Sequence, residues 1–102
     1  MIETMIDCLT RQLGFTLQGS VGDPPGWASL VRDGIEIMLL GGDYLPPAQD
    51  WAAYLYVSQV DALYAEFAAR GADLGGPPED KPYNCREFAV RLPDGRLLAF
   101  AG

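Results

Sequence analysis

Residues 51–64, Trp51-Ala52-Ala53-Tyr54-Leu55-Tyr56-Val57-Ser58-Gln59-Val60-Asp61-Ala62-Leu63-Tyr64, pass directly from a strand pattern into a helix pattern. Successive strand side chains point to opposite faces, so Tyr54 and Tyr56 share one face and Ala53, Leu55 and Val57 the other. Ser58 and Asp61 form a Ser-x-x-Asp capping pattern. Val60, Leu63, Tyr64 and Phe67 then supply the buried stripe of a helix that ends near Arg70-Gly71. Gly75-Gly76-Pro77-Pro78 breaks the chain, and Glu87 to Arg91 and Arg96 to Phe100 close it as a hairpin through Leu92-Pro93-Asp94-Gly95. The unit reads as strand, helix, three strands.

The first half repeats this unit from the helix onward. Ile2, Met5, Ile6, Leu9 and Leu13 follow the spacing of one buried helical stripe, and Gly14 fits its C-terminal end. Phe15 to Gln18 reads as a short strand. Trp27 to Val31 and Ile35 to Leu40 form a hairpin on Asp33-Gly34. Nothing before Met1 corresponds to the strand that opens the second unit, so module one (1–42) is expected to lack its first strand and module two (51–102) to be whole. An in-frame start placed too late would account for this. Gly41 to Asp50, with Gly41-Gly42 and Pro46-Pro47, is the expected linker. The fold class is α+β, a single domain with both helices on one side of a mostly antiparallel sheet.

Composition narrows the function. A chain of 102 residues with 49% apolar and 11% aromatic residues is one globular domain rather than a disordered segment. No apolar run nears the roughly 20 residues that span a bilayer, and no basic-then-apolar leader opens the chain. The expectation is a cytoplasmic protein without membrane partners. Seven basic residues against fourteen acidic ones give a net charge of −7, and the basic ones are scattered, which excludes nucleic acid as an expected partner. Two cysteines, Cys8 and Cys85, make no disulfide framework and are expected as free buried thiols. The chain has no histidine. Cysteine and serine therefore lack their usual activating base, though Arg86 beside Cys85 could lower a thiol pKa. No catalytic residue is assigned.

Four stretches, in order, resemble the vicinal oxygen chelate superfamily, which includes glyoxalase I, bleomycin-resistance proteins and extradiol dioxygenases. They are Leu13-Gly14-Phe15 after an amphipathic helix, Gly34-Ile35-Glu36-Ile37-Met38-Leu39, Val57 to Tyr64, and Arg86-Glu87-Phe88-Ala89-Val90-Arg91 followed by Pro93-Asp94-Gly95. The resemblance implies two βαβββ modules whose strands curl into a cupped mixed sheet, with helices outside and the ligand inside. It also implies metal-ligand positions at the strand that is absent, at Met38, at or next to Ala52, and at Ala99. None of these three residues ligates a hard or borderline divalent metal. Neither a metal nor a cofactor is therefore expected. Asn84 stands where a glycine is common, which puts the local loop geometry in question.

Tracing faces from those positions gives Glu36, Met38, Tyr54, Tyr56, Glu87 and Arg91 as the ligand-binding residues. Tyrosine faces suit a planar or positively charged group, and a carboxylate fixes its orientation. Structural roles stand beside this: core or interface aromatics for the tyrosines, a solvated hairpin position for Glu36, and an ion pair of Glu87 with Arg91 or Arg96. Trp27 and Trp51 flank loops and are candidates for a pocket rim or a subunit contact. The reading is a metal-independent protein that binds or sequesters a small, cationic or amphipathic molecule, as a homodimer. Two alternatives stay open, a metal-dependent lyase, isomerase or dioxygenase of the same superfamily, and an inert dimeric interaction module.

Overall fold

The computed structural model describes residues 2–41 and 51–102, with Trp51 by its backbone alone. The linker expected at Gly41 to Asp50 lies, beyond Gly41, outside the described residues. The chain divides into two compact units, Met1–Leu45 and Pro46–Gly102.

The first unit opens with helix α1 (Ile2–Asp7), which widens into a π-type turn over Cys8–Gln12. Thr10 sits at the junction, its hydroxyl donating 2.8 Å to the Ile6 carbonyl, and Leu13 N–H reaches back five residues to Cys8 O. Hydroxyl back-bonding of this kind loosens the regular helical ladder. Met5, Cys8, Leu9 and Leu13 are buried as the stripe requires. Three antiparallel strands follow in the order β1 (Thr16–Val21), β2 (Trp27–Arg32), β3 (Ile35–Leu40). The first runs further than the expected Phe15 to Gln18, because Gly19, Ser20 and Val21 still pair with Ser29, Ala28 and Trp27 after an irregularity at Leu17/Gly19. Phe15 instead stays with the helix end, its N–H bonded to Leu9 O at 2.9 Å. At the β2–β3 turn Asp33 and Gly34 take φ of 51° and 82°. Two consecutive left-handed residues match the right-handed twist of the flanking strands, which is why Asp-Gly is legible there.

The second unit is a four-stranded mixed sheet in the order β4-β7-β6-β5. Its strands are β4 (Trp51–Tyr56), β5 (Glu79–Lys81), β6 (Cys85–Arg91) and β7 (Leu97–Ala101), and helix α2 is Val60–Ala69. The β4–β7 pair is parallel and the others antiparallel. One sheet face packs on α2: Phe67, fully buried, meets Phe88 at 5.9 Å and Phe100 at 5.1 Å edge-on, and Phe88 stacks on Phe100 at 5.3 Å. The helix ends on Gly71 (φ 81°), with Ala72 N–H bonded to Phe67 O, a Schellman-type closure that only a residue tolerant of positive φ makes cheaply. Its start corrects the expectation. The N-cap is Gln59, with no side-chain capping bond, so Ser58 does not cap. Asp61 bonds Arg86 instead, at 3.0 Å.

The sequence reading of one mostly antiparallel sheet is likewise refined to two sheets. Each helix packs on one face of its own sheet. The residues expected to bind a ligand lie on the helix-free face of one sheet or the other.

Candidate functional site

On the helix-free face of the second sheet, register sets the geometry. Tyr54 lies opposite Ala99 and Tyr56 opposite Ala101. Ala101 in turn lies opposite Glu87, and Ala99 opposite Ala89. Strands sit about 4.8 Å apart, so β4 and β6 are separated by about 9.6 Å with β7 between them. Tyr54 crosses that gap because the intervening side chains are alanines. Its hydroxyl donates 2.6 Å to Glu87 Oε1, and the Tyr83 hydroxyl donates to the same oxygen. Tyr54 and Tyr56 meet edge-on with centroids 5.5 Å apart.

Exposure grades across this group. Glu87 is 7% exposed, Tyr54 37%, Tyr83 57% and Tyr56 72%. A nearly buried carboxylate thus lies beneath three partly open rings. Hydrogen bonding to Glu87, with desolvation second, raises the pKa of both Tyr54 and Tyr83, holding each phenol protonated well into the alkaline range. No ion pair forms on Glu87 among the described residues. Arg86 is taken by Asp61 and Asp80, Lys81 by Glu79 and Arg96 by Asp94.

The expected site residues fall into three groups. Tyr54, Tyr56 and Glu87 come together as described. Glu36 and Met38 share the helix-free face of the first sheet, where Glu36 Oε2 accepts a 2.6 Å bond from the Ser29 hydroxyl. Ser29 is buried, and Met38, directly opposite it, is 62% exposed beside exposed Leu40 and Val21. Arg91 stands apart at the far end of β6, exposed, with Nη1 donating to Gly95 O at 3.2 Å. The suggested pairing of Glu87 with Arg91 or Arg96 is therefore corrected, since phenols take that role. Arg86 is likewise held by two aspartates, and Cys85 is half-buried rather than buried. The Trp51 side chain lies outside the described residues, and Trp27 is half-buried.

Tyr83 was missed by sequence reasoning. It lies in the turn between β5 and β6, where periodicity assigns no face. Asn84 takes φ of 65°, a left-handed conformation that Asn tolerates better than most residues, and this curl returns the Tyr83 ring to Glu87 four residues on. The departure at Asn84 was the available signal.

The residues at the implied metal-ligand positions do not fit a divalent metal. The implied ligand positions hold a thioether and two methyl groups (Met38, Ala52, Ala99). Among the described residues no three His, Cys, Asp or Glu side chains are grouped to hold an ion. Glu36 and Glu87 each already accept hydroxyl bonds.

Comparison with known proteins agrees with the architecture. Residues 1–100 match the model of the Glyoxalase/Bleomycin resistance protein/Dioxygenase superfamily, and the chain belongs to this family. TioX from Micromonospora sp. ML1 is 30% identical, with a TM-score of 0.71 over 94% of this chain and 85% of that one. The bleomycin-binding protein of Streptomyces verticillus, solved with copper(II)-bleomycin, aligns at 24% identity and a TM-score of 0.80, over 97% of this chain and 84% of that one. A glyoxalase-related enzyme from Clostridium phytofermentans aligns at 17% identity and 0.80, covering 98% and 84%. The latter two speak for the fold alone. No curated protein matches the chain. Among the described residues no helix is long and apolar enough to cross a membrane.

Proposed function

We propose that this protein is a metal-independent small-molecule binder of the glyoxalase/bleomycin-resistance type, which sequesters or senses a cationic or amphipathic ligand. The observation that carries the reading is the gathering of Tyr54, Tyr56 and Tyr83 around one nearly buried carboxylate that has no counter-charge among the described residues. Rings and a carboxylate together attract a cation with an apolar body. The net charge of −7 draws such a ligand toward the protein. In the first unit, Glu36 and Met38 offer a carboxylate and a soft apolar contact of their own. Arg91 would meet an anionic substituent at the far end of β6. We read the two units as one domain acting as a homodimer in the cytoplasm.

Purification without chelators, metal analysis, and thermal-shift and calorimetric screening test this. The panel holds glycopeptide antibiotics of the bleomycin type with and without copper, aromatic cations and glutathione adducts. Binding of a cationic or amphipathic compound by metal-free protein, lost in Tyr56→Ala, is the expected result. A stoichiometric divalent ion held by carboxylates, or no response to any class, would overturn the proposal.

A further inference from the structure

Resting on that reading, we infer that the Glu87 site selects a compact N–H cation, a protonated amine, over a quaternary ammonium or a guanidinium. The reason lies in how the carboxylate is already occupied. Both phenols, from Tyr54 and Tyr83, donate to the same oxygen, Oε1. A carboxylate oxygen has two lone-pair directions, so Oε1 is saturated and Oε2 remains as the acceptor for a ligand.

Each cation class meets this arrangement differently. A guanidinium recognises carboxylates as a planar fork, through two parallel bonds to two oxygens. Here it would have to displace both phenols to use Oε1. A quaternary ammonium is attracted by ring faces but has no N–H to give, and its methyl groups hold the charge away from Oε2. An ammonium is a compact point charge that directs one N–H to Oε2 while its apolar stem lies against Tyr54 and Tyr56. Glu87 is only 7% exposed, and the smallest cationic head reaches such a carboxylate with the least displacement of its neighbours. No arginine or lysine pairs with Glu87 among the described residues, so the ligand itself supplies the counter-charge.

The test uses four probes sharing one ring: benzylamine, benzyltrimethylammonium, benzylguanidine and benzyl alcohol, titrated into the full chain at neutral pH and low salt by two-dimensional NMR. A hydrogen bond to a charged group predicts about tenfold or tighter binding of benzylamine than of benzyl alcohol. Both other cations are expected between these two. Glu87→Gln should bring the amine-to-alcohol ratio close to one, its spectrum reporting whether the fold is intact. Tyr83→Phe keeps the carboxylate and removes one donor from Oε1, so it should narrow the gap between amine and guanidine. Equal or tighter binding of the guanidine or the quaternary cation by the unaltered protein overturns the inference, as does an amine preference that survives in Glu87→Gln. Equal binding of all four overturns it while leaving the binding function standing. No perturbation at Tyr54, Tyr56 or Tyr83 by any probe overturns both.

Discussion

Replacing Ala99 with Leu tests the bridge from Tyr54 to Glu87 without touching either residue. Ala99 is fully buried on β7, opposite Tyr54 on one side and Ala89 on the other. A leucine adds three carbons beneath the path that the Tyr54 ring takes across the sheet. Strand spacing leaves only the depth of a methyl group there, so the ring must lift and its hydroxyl must leave Oε1. Overpacking of a closed site costs about 1–3 kcal/mol. With a urea dependence of about 2 kcal/mol per molar, the unfolding midpoint should fall by about 1 M. A second reading comes from the phenol. Tyr54 owes its raised pKa first to the bond with Glu87, so in Ala99→Leu its titration, followed by ultraviolet absorbance or NMR, should drop back toward the ordinary value near 10. Ala99→Gly, which adds no atoms in the path of the ring, should leave the Tyr54 titration high. In Ala99→Leu, an unaltered urea midpoint together with a Tyr54 that still titrates high would refute the view that alanines on β7 clear the way.

Phe67→Ala removes the fully buried ring against which Phe88 and Phe100 pack, and should cost about 3–5 kcal/mol in urea unfolding; a loss under about 1 kcal/mol would contradict the packing described. Stability should fall as pH rises past about 10, because unfolded tyrosines then release protons that Tyr54 and Tyr83 still hold in the folded state. Below that value the contribution is fully present, and Tyr54→Phe should flatten the alkaline decline. Burial, helped by the charge of Asp7, raises the Cys8 thiol above its ordinary 9.0, so iodoacetamide at pH 7 should label it slowly until urea opens the fold. Rapid labelling of the native protein would place the thiol outside the core. Dialysis against a chelator should leave the urea midpoint unmoved, and a clear fall would mean that a bound ion contributes to folding.

Elements with a local physical cause were legible in the sequence. The Asp33-Gly34 turn, the Phe67 stripe and the end at Gly71 all follow from residues within a few positions of one another. The α+β architecture followed from repetition of that local order. What escaped the sequence reading depends on partners distant in the chain. Ser58 and Asp61 matched a capping pattern, yet Arg86, 25 positions along, engages Asp61. Alternation put Tyr54, Tyr56 and Glu87 on usable faces, but their meeting depends on register across β7, which no single stretch encodes. Arg91 shares a face with Glu87 by the same alternation and is still too far along the strand to join it. Tyr83 had no periodicity at all, and its place follows from one left-handed residue at Asn84.

The parallel β4–β7 pair has a kinetic consequence. In the first unit every strand pairs with its neighbour in sequence, so its loops are short and closing them loses little chain entropy. In the second, the edge strand β4 must find β7 across roughly 45 residues, Trp51 opposite Leu97. Non-local pairing of this kind slows folding. The tyrosine face depends on β7 lying between β4 and β6, so it assembles only after the longest loop in the unit has closed. In refolding experiments the hairpins of the first unit should therefore gain exchange protection first. Ligand capture should appear last, with the rate of β4–β7 docking.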